Sequence, residues 1–264
     1  MTPGEGTAAP SQEAAAAAEG PGYRRYDWKT RLLDGLLARF GDRDVEVLDL
    51  GSGTSKDWVE VLPRYPRVRY TGVEYREGAL ARARELLAGI PRVELASGFG
   101  EEVQASFAGR FDLTLSLSVL EHVKHLRAFL RSSARATRPG GWIVHRYDLG
   151  HALHSRPYER TKVFLCRRAP WAMPARHFTT HPRLGEVTRT LEEAGVEIRD
   201  VAYSQLTGLK QMMNRIDWSE PGAAGVSRPL LELDERLARY MAARRPAREM
   251  ERLFPSITVT GVKR

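Results

Sequence analysis

Val47-Leu48-Asp49-Leu50-Gly51-Ser52-Gly53-Thr54-Ser55 is the stretch on which the reading of this chain turns. A short apolar run ends in an acid and then in two glycines spaced G-x-G, a backbone shape that lets a nucleotide-like ligand press against the main chain at the end of a parallel strand. About twenty residues later a second apolar run, Tyr70-Thr71-Gly72-Val73-Glu74, also ends in a carboxylate, where a ribose diol needs a two-oxygen acceptor. The pair points to a nucleoside ligand.

The third glycine separates the candidates. A dinucleotide fingerprint reads G-x-G-x-x-G, because a pyrophosphate must lie against a helix N-terminus packed close to the strand. Here that position is Lys56, and no G-x-x-x-x-G-K-S/T phosphate loop is present, so neither NAD nor ATP fits. The D-L-G-S-G run with an acid closing the second strand instead resembles the motifs of class I S-adenosylmethionine (SAM) dependent methyltransferases. Phe111 to Val123 resembles that family's fourth-strand motif, and Arg138-Pro139-Gly140-Gly141 the turn into its fifth strand. The matched motifs keep the family's order over residues 45 to 147.

The apolar pattern is in accord with this. Strands are expected near Val45–Leu50, Val68–Glu74, Arg92–Ala96, Phe111–Leu117, Trp142–Tyr147, Val196–Tyr203 and Ser256–Val262. Helices are expected at Tyr26–Phe40, Lys56–Leu62, Glu77–Ala88, Leu120–Thr137 and Leu184–Ala194, with Gly89 and Gly195 as stops. Alternation of this kind implies an α/β, Rossmann-like fold: a seven-stranded, mostly parallel sheet with helices on both faces. Residues 1–22, rich in Ala, Gly and Pro, are expected to be a disordered leader, and 23–264 one methyltransferase domain with insertions at about 148–182 and 205–254. The second insertion carries helical pattern at Leu209–Ile216 and Leu230–Met241.

Composition narrows the setting. The chain has 264 residues and one cysteine, Cys166, which excludes an internal disulfide framework. No apolar run reaches membrane-spanning length and no signal segment leads the chain, so a cytoplasmic protein without a membrane partner is expected. The net charge of +8 raises the question of nucleic acid. Yet the basic residues alternate with acids, as in Arg82-Ala83-Arg84-Glu85, and form no stripe. That distribution argues against a polynucleotide partner.

The resemblance implies roles residue by residue, with SAM as cofactor. Asp49, Gly51, Ser52 and Gly53 would form the loop under it, Glu74 would hold the ribose, and Tyr75 follows beside it. Where many relatives read G-D-A after the third strand, this chain reads Gly98-Phe99-Gly100, so Phe99 would stack on adenine or else be core. Ser118 and Val119 would meet the methionine part. Glu121-His122 matches only part of the E-x-x-E-H pattern that binds a divalent ion in some branches, since Ser118 replaces the first acid, and no metal is expected. His151 and His154, just past the fifth strand, are the candidate bases; with His177 or His181 they match no recognisable zinc spacing. Met212 and Met213 read as core. The expected activity is methyl transfer to a small-molecule acceptor, most readily a hydroxyl of a sugar or secondary metabolite. The rivals are an RNA or peptide methyltransferase, against which stands the missing N-P-P-Y ending, and a SAM-binding subunit without turnover.

Overall fold

A computed structural model describes residues 28–102, 105–149, 157–174, 178–213, 216 and 223–264. The proposed leader together with residues 23–27, and both candidate bases, His151 and His154, lie outside the described residues. Seven strands are present: β1 (Val45–Leu50), β2 (Val68–Glu74), β3 (Val93–Ser97), β4 (Phe111–Leu117), β5 (Thr137–Asp148), β6 (Val196–Ser204) and β7 (Ser256–Lys263). They form one sheet in the order β3-β2-β1-β4-β5-β7-β6. Only β7 runs against its neighbours, pairing antiparallel with both β5 and β6. The chain reverses its direction of winding between β1 and β4, which opens a crevice beyond their carboxyl ends.

Helices α1 (Trp28–Leu37), α2 (Lys56–Val61) and α3 (Glu77–Leu86) alternate with the first strands, and α4 (Leu126–Ala136) precedes β5. On one face Leu33, Leu37, Trp58 and Val61 close over Val47, Leu113 and Val144; on the other Phe129, Leu130, Val187 and Leu191 close over Leu48, Leu50 and Ile143. Val187 and Leu191 belong to α6 (Leu184–Glu193), while α5 (Pro157–Arg168) lies in the first long connection. The second connection builds α7 (Thr207–Met213), α8 (Ala223–Ala242) and α9 (Ala247–Leu253). Because β6 ends and β7 begins level with Asp148, these three helices stand over the same sheet end as the crevice. Arg31 of α1 ties them down through Glu232 and Glu235 of α8, at 3.7 and 3.2 Å.

Several boundaries differ from expectation for local reasons. The helix expected over Leu120–Thr137 is two pieces, a 3₁₀ turn at Leu120–His122 and then α4, because Val123 is extended. Helix α2 stops at Val61, two residues before Pro63, and a 3₁₀ turn over Leu62–Arg64 follows. The turn at Arg138–Gly141 lies within β5, as a bulge that advances β5 five residues, Thr137 to Trp142, while β4 advances two, Phe111 to Leu113. Gly141 is forced there: a Cβ would come within 2.9 Å of the Phe111 and Arg138 carbonyl oxygens. Gly89 and Gly195 do end their helices, at φ +83° and +77°. Met212 is 48 % exposed, so the expectation that it is core is corrected.

His145 is buried between β4 and α4, its Nδ1 2.8 Å from Ser116 Oγ and its Nε2 2.9 Å from Ser133 Oγ. Burial pushes its pKa down to about 3. An unfolded histidine titrates near 6.5, so this group's stabilising contribution is complete above that pH and is lost as pH falls toward 3. Between pH 7 and pH 5 the loss should be about 2 kcal/mol. Urea unfolding is expected to show the wild type losing about 2 kcal/mol relative to His145→Gln between the two pH values, a difference in which the pH dependence of the other titrating groups cancels.

Candidate functional site

The loop after β1 is fixed from beneath by a buried acid. Asp49 Oδ2 accepts hydrogen bonds from Trp58 Nε1 (2.8 Å) and Tyr70 OH (3.3 Å), and the Tyr70 hydroxyl lies 2.9 Å from Ser55 Oγ. Burial raises the Asp49 pKa to about 7, with the Trp58 bond offsetting part of the shift. Asp49 therefore binds the loop to α2 and β2 through its side chain. Gly72, beside Asp49 in the ladder, has room for nothing larger: a Cβ would lie 2.8 Å from Tyr70 OH and 2.9 Å from Ser52 Oγ.

From above, β2 holds the loop through its last residues. The Gly51 and Ser52 amides both donate to the Val73 carbonyl, at 2.8 and 3.1 Å. The Gly53 amide donates to Glu74 Oε2 at 2.9 Å. The other carboxylate oxygen accepts from the Arg76 amide (2.9 Å) and Arg76 Nε (3.1 Å). Glu74 is only 3 % exposed, yet its Arg76 partner is half exposed, so the lone pairs that Arg76 occupies can be vacated by a side-chain swing. Gly51 has φ +75°, and a Cβ there would meet both Val119 methyls at 2.8 Å. Its glycine is thus required by the protein's own close approach of β1 to the turn after β4.

That turn begins with Ser118 in the left-handed region, φ +61°, its amide donating to the Arg146 carbonyl at 2.8 Å. A non-glycine residue held there aims the chain back across the crevice. Tyr75 and Phe99 form a stacked pair at the crevice edge, with centroids 4.9 Å apart and planes at 14°. Phe99 is 44 % exposed and so is not core. Gly100 is buried instead, and the space its side chain would take holds Phe129, 2.3 Å from an ideal Cβ. Packing alone accounts for that glycine.

Next to the crevice, between the ends of β4 and β5, is a set of buried charged groups. Glu121 is 1 % exposed. Arg146 lies over the Trp28 ring, and Asp148 pairs with Lys210 of α7. Asp234 of α8 accepts from the Gln205 and Leu206 amides, at 2.6 and 2.7 Å, where the second insertion leaves the sheet. His122 is exposed, its Nδ1 3.4 Å from the Phe178 carbonyl. The structure thus gathers Asp49, Gly51, Ser52, Gly53, Glu74, Tyr75, Phe99, Ser118 and Val119 around one crevice. Sequence reasoning passed over the supporting roles of Trp58, Tyr70 and Gly72, whose signal was no more than an aromatic or a small residue inside a strand or helix.

Residues 22–201 match the family described as a methyltransferase domain, which is more than half of the chain. The chain is a class I SAM-dependent methyltransferase. Two curated relatives are named ubiquinone biosynthesis O-methyltransferase. The protein from Bordetella avium is 29 % identical over 45 % of this chain and 46 % of its own length. The one from Aromatoleum aromaticum is 26 % identical over 70 % of this chain and 79 % of its own. In fold, the methyltransferase resembles phosphoethanolamine N-methyltransferase 2 of Haemonchus contortus, solved with SAM, at a TM-score of 0.58 and 16 % identity over 88 % of this chain and 52 % of that one.

The Glu74→Gln variant tests the crevice. It keeps the shape but turns an acceptor-only group into one that also donates, and it is expected to weaken SAM binding roughly 100-fold, the equivalent of one or two charged hydrogen bonds. Calorimetry checks the affinity, and thermal melting should move by no more than a few degrees.

Proposed function

We propose that this methyltransferase moves the methyl group of SAM to a hydroxyl of a small molecule. The observation that carries this reading is the junction of Gly53 with Glu74 beside the β1–β4 crevice, which presents a carboxylate edge and bare backbone to one ligand. Glu74 would take the two ribose hydroxyls as Arg76 yields, and the Gly51–Gly53 loop with Ser118 and Val119 would flank the methionine part. Adenine would lie against Phe99 and Tyr75, whose exposed faces supply stacking in place of the missing Asp.

Methyl transfer asks little covalent chemistry of a protein, because the sulfonium is already an activated donor. What remains is in-line placement of the acceptor, exclusion of water, and a route for the hydroxyl proton. The two insertions, 148–182 and 205–254, would form the acceptor pocket of one domain spanning 23–264, with His151 or His154 receiving the proton. Oxygen is favoured by the names of both curated relatives, which also favour an intermediate of quinone type over a sugar. A cytoplasmic location and a role in secondary metabolism are part of this proposal; among the described residues no helix is long and apolar enough to cross a membrane.

A screen with methyl-labelled SAM against phenols, sugars and RNA decides between the readings. Label is expected in a phenolic or alcoholic product, formed at a rate that is insensitive to salt. Label in RNA with steep salt dependence would move the assignment to nucleic acid, and binding of SAM with no labelled product from any class would leave a regulatory subunit.

A further inference from the structure

Glu121 has no part in the account so far, and its surroundings are unlike those of any other acid in the crevice. It sits on the 3₁₀ turn Leu120–His122, directly after Val119, whose methyls fill the space above Gly51. The turn is pinned by two backbone bonds, His122 N to the Val119 carbonyl at 2.8 Å and Thr180 N to the Glu121 carbonyl at 2.7 Å. Its carboxyl is thereby held inside, at the mouth between β4 and β5, where the Glu121 and Asp148 backbone amides lie close but no side chain donates to either oxygen. The Tyr147 hydroxyl is also buried and without a hydrogen-bond partner, and it feels the Glu121 charge. A buried carboxyl served by no side-chain donor, beside the loop assigned to the cofactor's methionine end, calls for an external partner.

We propose that Glu121 is the counter-charge of the SAM sulfonium, losing a proton when SAM binds and regaining one after methyl transfer leaves the sulfur neutral. The inference rests on the SAM assignment of this crevice. The groups that face Glu121 make the exchange workable. From β5, Asp148 opposes ionisation and Arg146 favours it; Tyr147 lies beyond, with Glu251 of α9 acting on its hydroxyl. Lys210 of α7 neutralises Asp148, so the nearest rival acid is already paired. Burial is the largest influence and lifts the Glu121 pKa to about 8, so the carboxyl is mainly neutral in the empty protein at pH 7. A cation arriving nearby in a dry cleft offsets that penalty. S-adenosylhomocysteine (SAH), the product, carries no such charge. The site would therefore distinguish donor from spent product by charge at one sulfur, although the two ligands differ by a single methyl group.

Calorimetry with SAM and SAH in two buffers of different ionisation enthalpy tests this on the whole chain without an acceptor. At pH 7 SAM is expected to release most of one proton more than SAH does, and Glu121→Gln should abolish that excess while still binding both. In the wild type alone, the ratio of SAM to SAH affinity should rise about tenfold from pH 6.5 to 8.5. Asp49 titrates in a similar range but lies under the loop, where both ligands would affect it alike. Equal proton release with SAM and SAH, a flat affinity ratio, or an unchanged excess in Glu121→Gln each overturns the assignment of Glu121. Absence of binding by either ligand would instead remove the SAM site itself.

Discussion

The buried carboxylate of Asp49 is the constraint from which the crevice is built. An acid with almost no exposure is costly unless it is hydrogen-bonded, and here an indole and a phenol supply the bonds from two different elements. Satisfying Asp49 therefore fixes α2 and β2 against the end of β1. With those three elements locked, the Gly51 and Ser52 amides fall on the Val73 carbonyl and the Gly53 amide falls on Glu74. The tight contact of Gly51 with Val119 then joins the fourth strand to the same loop. A substitution at Trp58 or Tyr70 would be felt as a misplaced loop well before it was felt as a lost aromatic ring.

Two acids of the crevice illustrate opposite uses of burial. Glu74 is buried and fully engaged, with backbone and guanidinium donors around it, so its geometry is set before any ligand arrives. Such preorganisation favours affinity. Glu121 is equally buried and has no comparable donors, so its ionisation is costly until something charged comes near. The first kind of site is held in place and needs only Arg76 to yield; the second responds to what occupies the pocket.

Much of this was legible in the chain. The limits of β1, β2 and β4 agree with the apolar runs because each run stops at a turn residue or a charge at the sheet edge. The meeting of the Gly51-Ser52-Gly53 loop with Glu74 was legible because two glycines after one strand and an acid closing the next belong at neighbouring strand ends. Other features were not, for physical reasons. Gly100 stood in a motif position, but its small size answers to Phe129, a residue about thirty positions away that no local pattern links to it. The break after His122 was hidden because Leu120, Leu126, Phe129 and Leu130 continue a helical spacing across it. Glu121 was weighed only as a metal ligand, since adjacency to His122 is visible in sequence and solvation is not.

The placement of β7 carries a consequence for how the molecule is made. This strand follows the other six in the chain, yet among the described residues it lies between β5 and β6 and is the one neighbour of β6 in the sheet. During translation β5 must wait as an open flank and β6 has nowhere to dock, so the nascent chain presents unpaired backbone until β7 has been made. Disruption of β7 would therefore leave two strands of the sheet open and adhesive at once, which makes that strand the point on which completion of the sheet depends.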